Sequence, residues 1–409
     1  MTSSSKLETG MQRAGRYKAA HAALPVPEAM AQGVAAASPA WAVVAKGCLE
    51  ALGELPEGAN IGFVYVTAAL AADFGSVVTF LRERSGIAEW FGTVGEGVVA
   101  SGEEIYDRPA VSLLVAALPA ESFHAFAPIS QGPRSGGFED FTGQHAAWIA
   151  QHRPILGVVH GDPRNPQIID IIEGLAGTTS AFLVGGLTAA ADEFPQVAGD
   201  FGPSEADGGG LSGVLFSSEQ MVVSALSQGC TPIGGDHLIT EIAGPGVIKA
   251  LDGRPALEVL REDIGELLSR DLRRIGGYIF AALPIPGSDT GDYLVRNIIG
   301  MDLDRQWLQI GAEMQTGERL GFCRRDHVSA RADLKRMLEE LRERAGGTPR
   351  GALYFSCVAR GRHLFGPQSE ELKMIRATFG DMPLTGFFAN GEICNNRLYG
   401  YTGVLTLLL

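Results

Sequence analysis

No apolar run in this chain approaches the roughly 20 residues that a helix needs to cross a bilayer. Nor does a basic segment followed by an apolar stretch open it, so a secretory signal is not expected. Positive charge is in deficit: 33 Lys and Arg stand against 47 Asp and Glu, a net charge of −14. Such a surface repels phosphate backbones and anionic lipid, so neither nucleic acid nor a membrane is an expected partner. Cysteine is scarce. The five present (Cys48, Cys230, Cys323, Cys357, Cys394) are far apart and never spaced Cys-x-x-Cys, which argues against a zinc ribbon or a disulfide framework. The expected location is cytoplasmic.

Familiar catalytic signatures are missing as well. There is no phosphate-binding Gly-x-x-x-x-Gly-Lys-Ser/Thr, no His-Glu-x-x-His and no Gly-x-Ser-x-Gly. Gly208, Gly210 and Gly213 match Gly-x-Gly-x-x-Gly, but they precede a strand pattern, the reverse of the order a dinucleotide site needs. His237 and Glu241 share a strand face about 13 Å apart, too far for one metal ion.

What is present is an ordinary globular composition, 45% hydrophobic and 20% charged over 409 residues, enough for two or three domains at about 150 residues each. Residues 1–15 read as a flexible tail, and 16–55 as Ala-rich and helical, interrupted at Pro25, Pro27 and Pro39. Pro255–Ile275 reads as an amphipathic helix with Leu257, Leu260, Ile264, Leu267, Leu268, Leu272 and Ile275 on one stripe. A boundary just before it divides the chain into domains 16–252 and 253–409. The fold class expected is α/β, with two domains built from repeated strand–helix–strand units and mixed, largely parallel sheets.

That expectation rests on a weak internal repeat. IGFVYVT, a helix and WFGTVGEGVV form the first unit; ILGVVH, a helix and SAFLVGGL the second; GALYFSCVARG, a helix and GFFANGEIC the third. Ligands of parallel sheets sit outside the carboxyl ends of the strands. Those ends carry Thr67, Gly95, Glu96, His160, Cys357, Arg360, Asn390, Gly391 and Glu392. Cys357 with His363, or Glu96 with Glu392, are the pairs from which an enzyme would be built.

The fragments FVYVT…WFGTVGEGV, AFLVGGLTA and CTPIGGDHLITEIAGPGVIKALDGRPAL, followed by SCVARG, PLTGFFANGEIC and GYTGVLTLL, together resemble the FIST (F-box and intracellular signal transduction) family. The resemblance implies a sensor without catalytic machinery that binds a small, amino-acid-like or carboxylate ligand. The polar pocket expected for it lies between the two domains and is shaped by Arg296, Arg360, Glu96 and Glu392, where two arginines suit a carboxylate. No output domain is recognisable, so the signal is expected to pass to a separate partner such as a histidine kinase in a two-component system. No cofactor is required by this reading. The alternative implied by stand-alone relatives is a haem-binding nitric oxide sensor, with His237, His160 or Cys230 as the iron ligand.

Overall fold

The computed structural model describes residues 8–14, 16–24, 39–136, 138–190, 192–200, 209–285 and 293–409. It divides into two compact units, residues 1–227 with 335–409, and residues 228–334. This division does not coincide with the sequence boundary before residue 253. The chain leaves the first unit after Ser227 and re-enters it within the His327–Ala345 helix.

The first unit holds three six-stranded sheets, each assembled on the same plan. In the first repeat the order is an outer strand Tyr17–Ala23, a helix Ala40–Leu52, a central strand Ile61–Thr67, a helix Phe74–Ser85 and a second central strand Glu89–Gly95. A short strand Gly97–Ala100 follows, and Ala110–Ala116 returns antiparallel to the first central strand. The second repeat runs Phe123–Ile129, Phe138–His152, Leu156–Gly161, Ile168–Thr179, Phe182–Leu187, Gln196–Gly199 and Leu211–Phe216. The third runs Val222–Ser227, His327–Ala345, Gly351–Cys357, Glu370–Phe379, Leu384–Ala389, Glu392–Cys394 and Gly403–Leu408. Residues 228–334 are thus inserted at one strand-to-helix connection of the third repeat.

The repeats are locked by cyclic exchange of the short strand. Gly97–Ala100 of the first repeat pairs with the third, Gln196–Gly199 of the second with the first, and Glu392–Cys394 of the third with the second. Each central pair is parallel, which are the three parallel pairings among the described residues. Every other described pairing is antiparallel, so the sheets are mixed α/β but not largely parallel. The reason is the strand order: helices also join each outer strand to the first central strand, but the returning strand inserts antiparallel between those two, so only the two central strands of each repeat lie side by side in parallel.

At the middle of each pair stands a glycine. Gly92, Gly185 and Gly386 face Val64, Val159 and Tyr354, and a Cβ on any of them would lie 1.7, 1.8 and 1.8 Å from the carbonyl oxygen opposite. One residue further along the first strands come Tyr65, His160 and Phe355, whose rings meet at centroid distances of 5.5, 6.0 and 6.4 Å. Phe387 stacks on Tyr65 at 5.0 Å and completes the buried cluster.

The Ala-rich segment after residue 16 is a strand rather than a helix. Tyr17–Ala23 pairs with Glu8–Ala14 on one side and Ala110–Ala116 on the other, and this pairing overrides the helix preference of alanine. Residues 8–14 of the expected tail belong to that hairpin, whereas 1–7, Gly15, Pro25 and Pro27 lie outside the described residues. In the second unit one sheet runs Tyr293–Arg296, Ile279–Pro284, Arg319–Arg325, Cys230–Gly244, Val247–Leu251, Trp307–Ile310 and Ile298–Asp302. The amphipathic segment covers it as Ala256–Ser269 and a separate turn Leu272–Ile275, broken at Gly265 with φ 75°.

Gly185→Ala is expected to lower stability by about 1–3 kcal/mol or more, because the added methyl overlaps a backbone oxygen that has nowhere to move. Urea denaturation of both proteins measures it; an unchanged midpoint would show that the strand pair yields.

Candidate functional site

Three of the sequence candidates, Cys357, Arg360 and Glu392, lie buried at the end of the third repeat's central pair, within a polar network closed to solvent. Arg360 and Glu371 are both fully buried and ion-paired at 2.7 Å. Glu371 also accepts hydrogen bonds from the Tyr354 and Ser356 hydroxyls and from the Gly361 amide at 3.0 Å. The Arg360 guanidinium donates further to the Ser227 carbonyl at 3.1 Å. It therefore holds a loop together and is not presented to a ligand. Arg360→Ala would leave Glu371 buried without its cation, at a cost of about 3–5 kcal/mol, which thermal denaturation would register as a large fall in Tm.

Glu392 is equally buried. Oε2 accepts from the Thr402 amide at 3.0 Å and the Thr402 hydroxyl at 2.8 Å, while Oε1 accepts no hydrogen bond of standard geometry. Burial pushes its pKa up to about 8, against smaller opposing effects of Thr402, Arg360 and the nearby Cys357 thiol. Cys357 is itself buried, and its amide donates to Thr402.

The two Gly-Glu turns are not equivalent. Glu96 is exposed in the link before an exchanged strand, and its amide donates to the Phe388 carbonyl; Glu392 is the first residue of an exchanged strand, opposite Gly186. Gly95 marks a close approach to Phe387, and Gly391 and exposed Asn390 form the corresponding link in the third repeat. The Thr67 hydroxyl bonds the Arg108 carbonyl at 2.7 Å and the Ala110 amide at 3.1 Å, a turn-closing role. Arg296 belongs to the other compact unit, where burial lowers its pKa and Nη1 donates to the Val295 carbonyl.

The histidines proposed for haem do not fit it. His160 lies among Tyr65, Phe355 and Phe387 with no exposed surface; Nε2 is 3.1 Å from the Tyr65 hydroxyl, Nδ1 has no hydrogen-bond partner, and burial lowers its pKa to about 3. His237 bridges Asp252 at 2.7 Å and Asp263 at 2.9 Å with its two nitrogens. Burial alone would depress its pKa, but these carboxylates carry it above the usual histidine value. Neither ring offers an accessible nitrogen to iron, and Cys230 is a buried neighbour of Cys323.

An open groove lies elsewhere in the first unit, with a volume of about 820 Å³, within the roughly 300–1,000 Å³ typical of small-molecule sites. One wall is the Phe74–Ser85 helix, which presents Ser76, Thr79, Phe80 and Glu83. Trp41 packs edge-on to Phe80 at 6.2 Å. The other wall is the link 188–195 of the second repeat, bearing Asp192, Glu193 and Phe194. Thr93 anchors both ends of this link: its hydroxyl is 2.6 Å from that of Thr188 and donates to the Pro195 carbonyl at 2.8 Å. Arg164 closes the groove, clamped by buried Asp162 at 2.7 Å and lying 4.8 Å over the Phe194 ring.

None of these residues stood out in the sequence. The available signal was the link length. One residue, Glu96, joins Glu89–Gly95 to its exchanged strand and Asn390-Gly391 join the third pair, whereas 188–195 intervene in the second. Longer loops on a rigid scaffold are where binding groups concentrate.

The first unit is thus a three-repeat α/β domain with one lengthened link beside an open groove. The chain belongs to the FIST family: the FIST N domain matches residues 60–254 and the FIST C domain residues 256–395. FIST domains are associated with signal transduction and sensing. The chain is 33% identical over 338 residues to the uncharacterized protein Rv0628c of Mycobacterium tuberculosis, covering 79% of this chain and 84% of that one. It is 32% identical over 334 residues to the uncharacterized protein Mb0898c of Mycobacterium bovis, covering 78% and 82%. Among the described residues no helix is long and apolar enough to cross a membrane.

Glu392 sets a pH dependence. Because folding raises its pKa, its contribution to stability is complete below the ordinary 4.5 and is lost as pH rises through about 8. Glu392→Gln keeps the shape without the ionisation, so its stability relative to the parent should rise steadily across that window. Parallel denaturation curves at several pH values check this; a constant difference would mean the carboxyl stays ionised throughout.

Proposed function

We propose that this chain is a small-ligand sensor that binds its ligand in the groove between the Phe74–Ser85 helix and the link 188–195. The observation that carries the reading is the break in the repeat: the link that departs from the others walls the groove. The same link leads into Gln196–Gly199, the strand that ties the second repeat to the first. Occupancy of the groove therefore acts on a junction between repeats, and the change passes to a separate signalling partner of the histidine-kinase type.

The reading is of binding without chemistry. Cys357 is buried, whereas a thiol that attacks a ligand needs exposure. All five cysteines are free, which supports a reducing, cytoplasmic setting.

Thr79→Trp tests the site, since Thr79 is exposed on the helix and an indole there fills the groove. A ligand present at a hundred times its Kd stabilises by about 2.7 kcal/mol. A metabolite panel screened by thermal shift should yield compounds that raise the parent Tm by several degrees and leave the variant unmoved. Equal shifts in both proteins would place the ligand elsewhere.

A further inference from the structure

The groove's unpaired charge is all of one sign. Glu83, Asp192 and Glu193 are exposed along it, and among the described residues none has a hydrogen-bond or ion-pair partner. Arg164, the one cation lining it among the described residues, is already neutralised by Asp162, whose two oxygens receive its Nε and Nη2. A carboxylate ligand would have to compete with Asp162 and approach three free carboxylates. The walls add an independent feature. Trp41, Phe80 and Phe194 come from three separate segments, and the Phe194 ring already carries the Arg164 guanidinium on one face. Aromatic faces attract cations through their quadrupole, and more strongly where water is partly excluded.

We infer that the groove takes an organic polycation, an extended amine whose ammonium groups meet Glu83, Asp192 and Glu193 while its methylene chain lies against the three rings. This rests on the reading of the groove as the ligand site and departs from the amino-acid-like or carboxylate ligand expected from the sequence. The volume of about 820 Å³ suits a chain of several methylenes with more than one charge.

Spermidine is the probe, with putrescine as a shorter dication and glutarate as an anion, titrated calorimetrically into the full chain while Trp41 fluorescence is followed. Trp41→Phe identifies the signal of that ring among the four tryptophans. Spermidine should bind more tightly than putrescine, more weakly as salt rises, and glutarate should give no heat. The triple variant Glu83→Gln, Asp192→Asn, Glu193→Gln alters only exposed side chains and should weaken spermidine at least tenfold; Phe80→Leu should weaken it several-fold while leaving the salt dependence intact. An unchanged spermidine isotherm in the triple variant would reduce the binding to general attraction by an acidic protein and overturn the inference. Glutarate binding with a Trp41 response, and none from spermidine, would overturn the ligand class yet keep the groove. If neither these probes nor any compound of the panel moves Trp41, the inference and the groove reading both fall.

Discussion

The close approach of backbones at Gly92, Gly185 and Gly386 governs the first unit. Each glycine lets a carbonyl oxygen of the neighbouring strand occupy the space of a side chain, which draws the central strands together at one level. That level puts Tyr65, His160 and Phe355 in mutual contact, so the three sheets share a single aromatic centre. The exchanged short strands then close the ring, since each sheet is completed by a strand from another repeat. No repeat can complete its sheet alone, and the unit is expected to fold as one cooperative body.

The same closure explains why the carboxyl ends of the central strands do not form an open ligand site. In an open α/β sheet those ends face a crevice. In the third repeat they are covered by the loop that Arg360 and Glu371 hold and by the exchanged strand that begins at Glu392. Polar groups at this place are used to satisfy one another in a setting where unpaired charges are costly. Beside the second repeat, where the link is long, the surface stays open and aromatic, with carboxylates that have no ion-pair partner among the described residues.

Much of the fold was legible. The runs at Ile61–Thr67, Leu156–Gly161 and Gly351–Cys357, each followed by a helix and a second apolar run, pair in parallel as their rhythm implies. The repeat in strand pattern was real, but the Gly-Glu dipeptides in WFGTVGEGVV and GFFANGEIC are not equivalent within it. Glu96 and Glu392 occupy different positions relative to Gly92 and Gly386, and similar dipeptides arise from different local needs.

By itself the sequence determined the acidic, cysteine-poor character of the chain, its family, and the existence of three strand–helix–strand units, because these follow from composition and from short-range periodicity. The tertiary structure alone decided that Tyr17–Ala23 is a strand, that Arg360 and Glu392 face inward, and that Trp41, Phe80, Arg164 and Phe194 line one groove. Those outcomes depend on contacts between segments far apart in the chain, where a neighbouring strand or a buried partner outweighs any local preference.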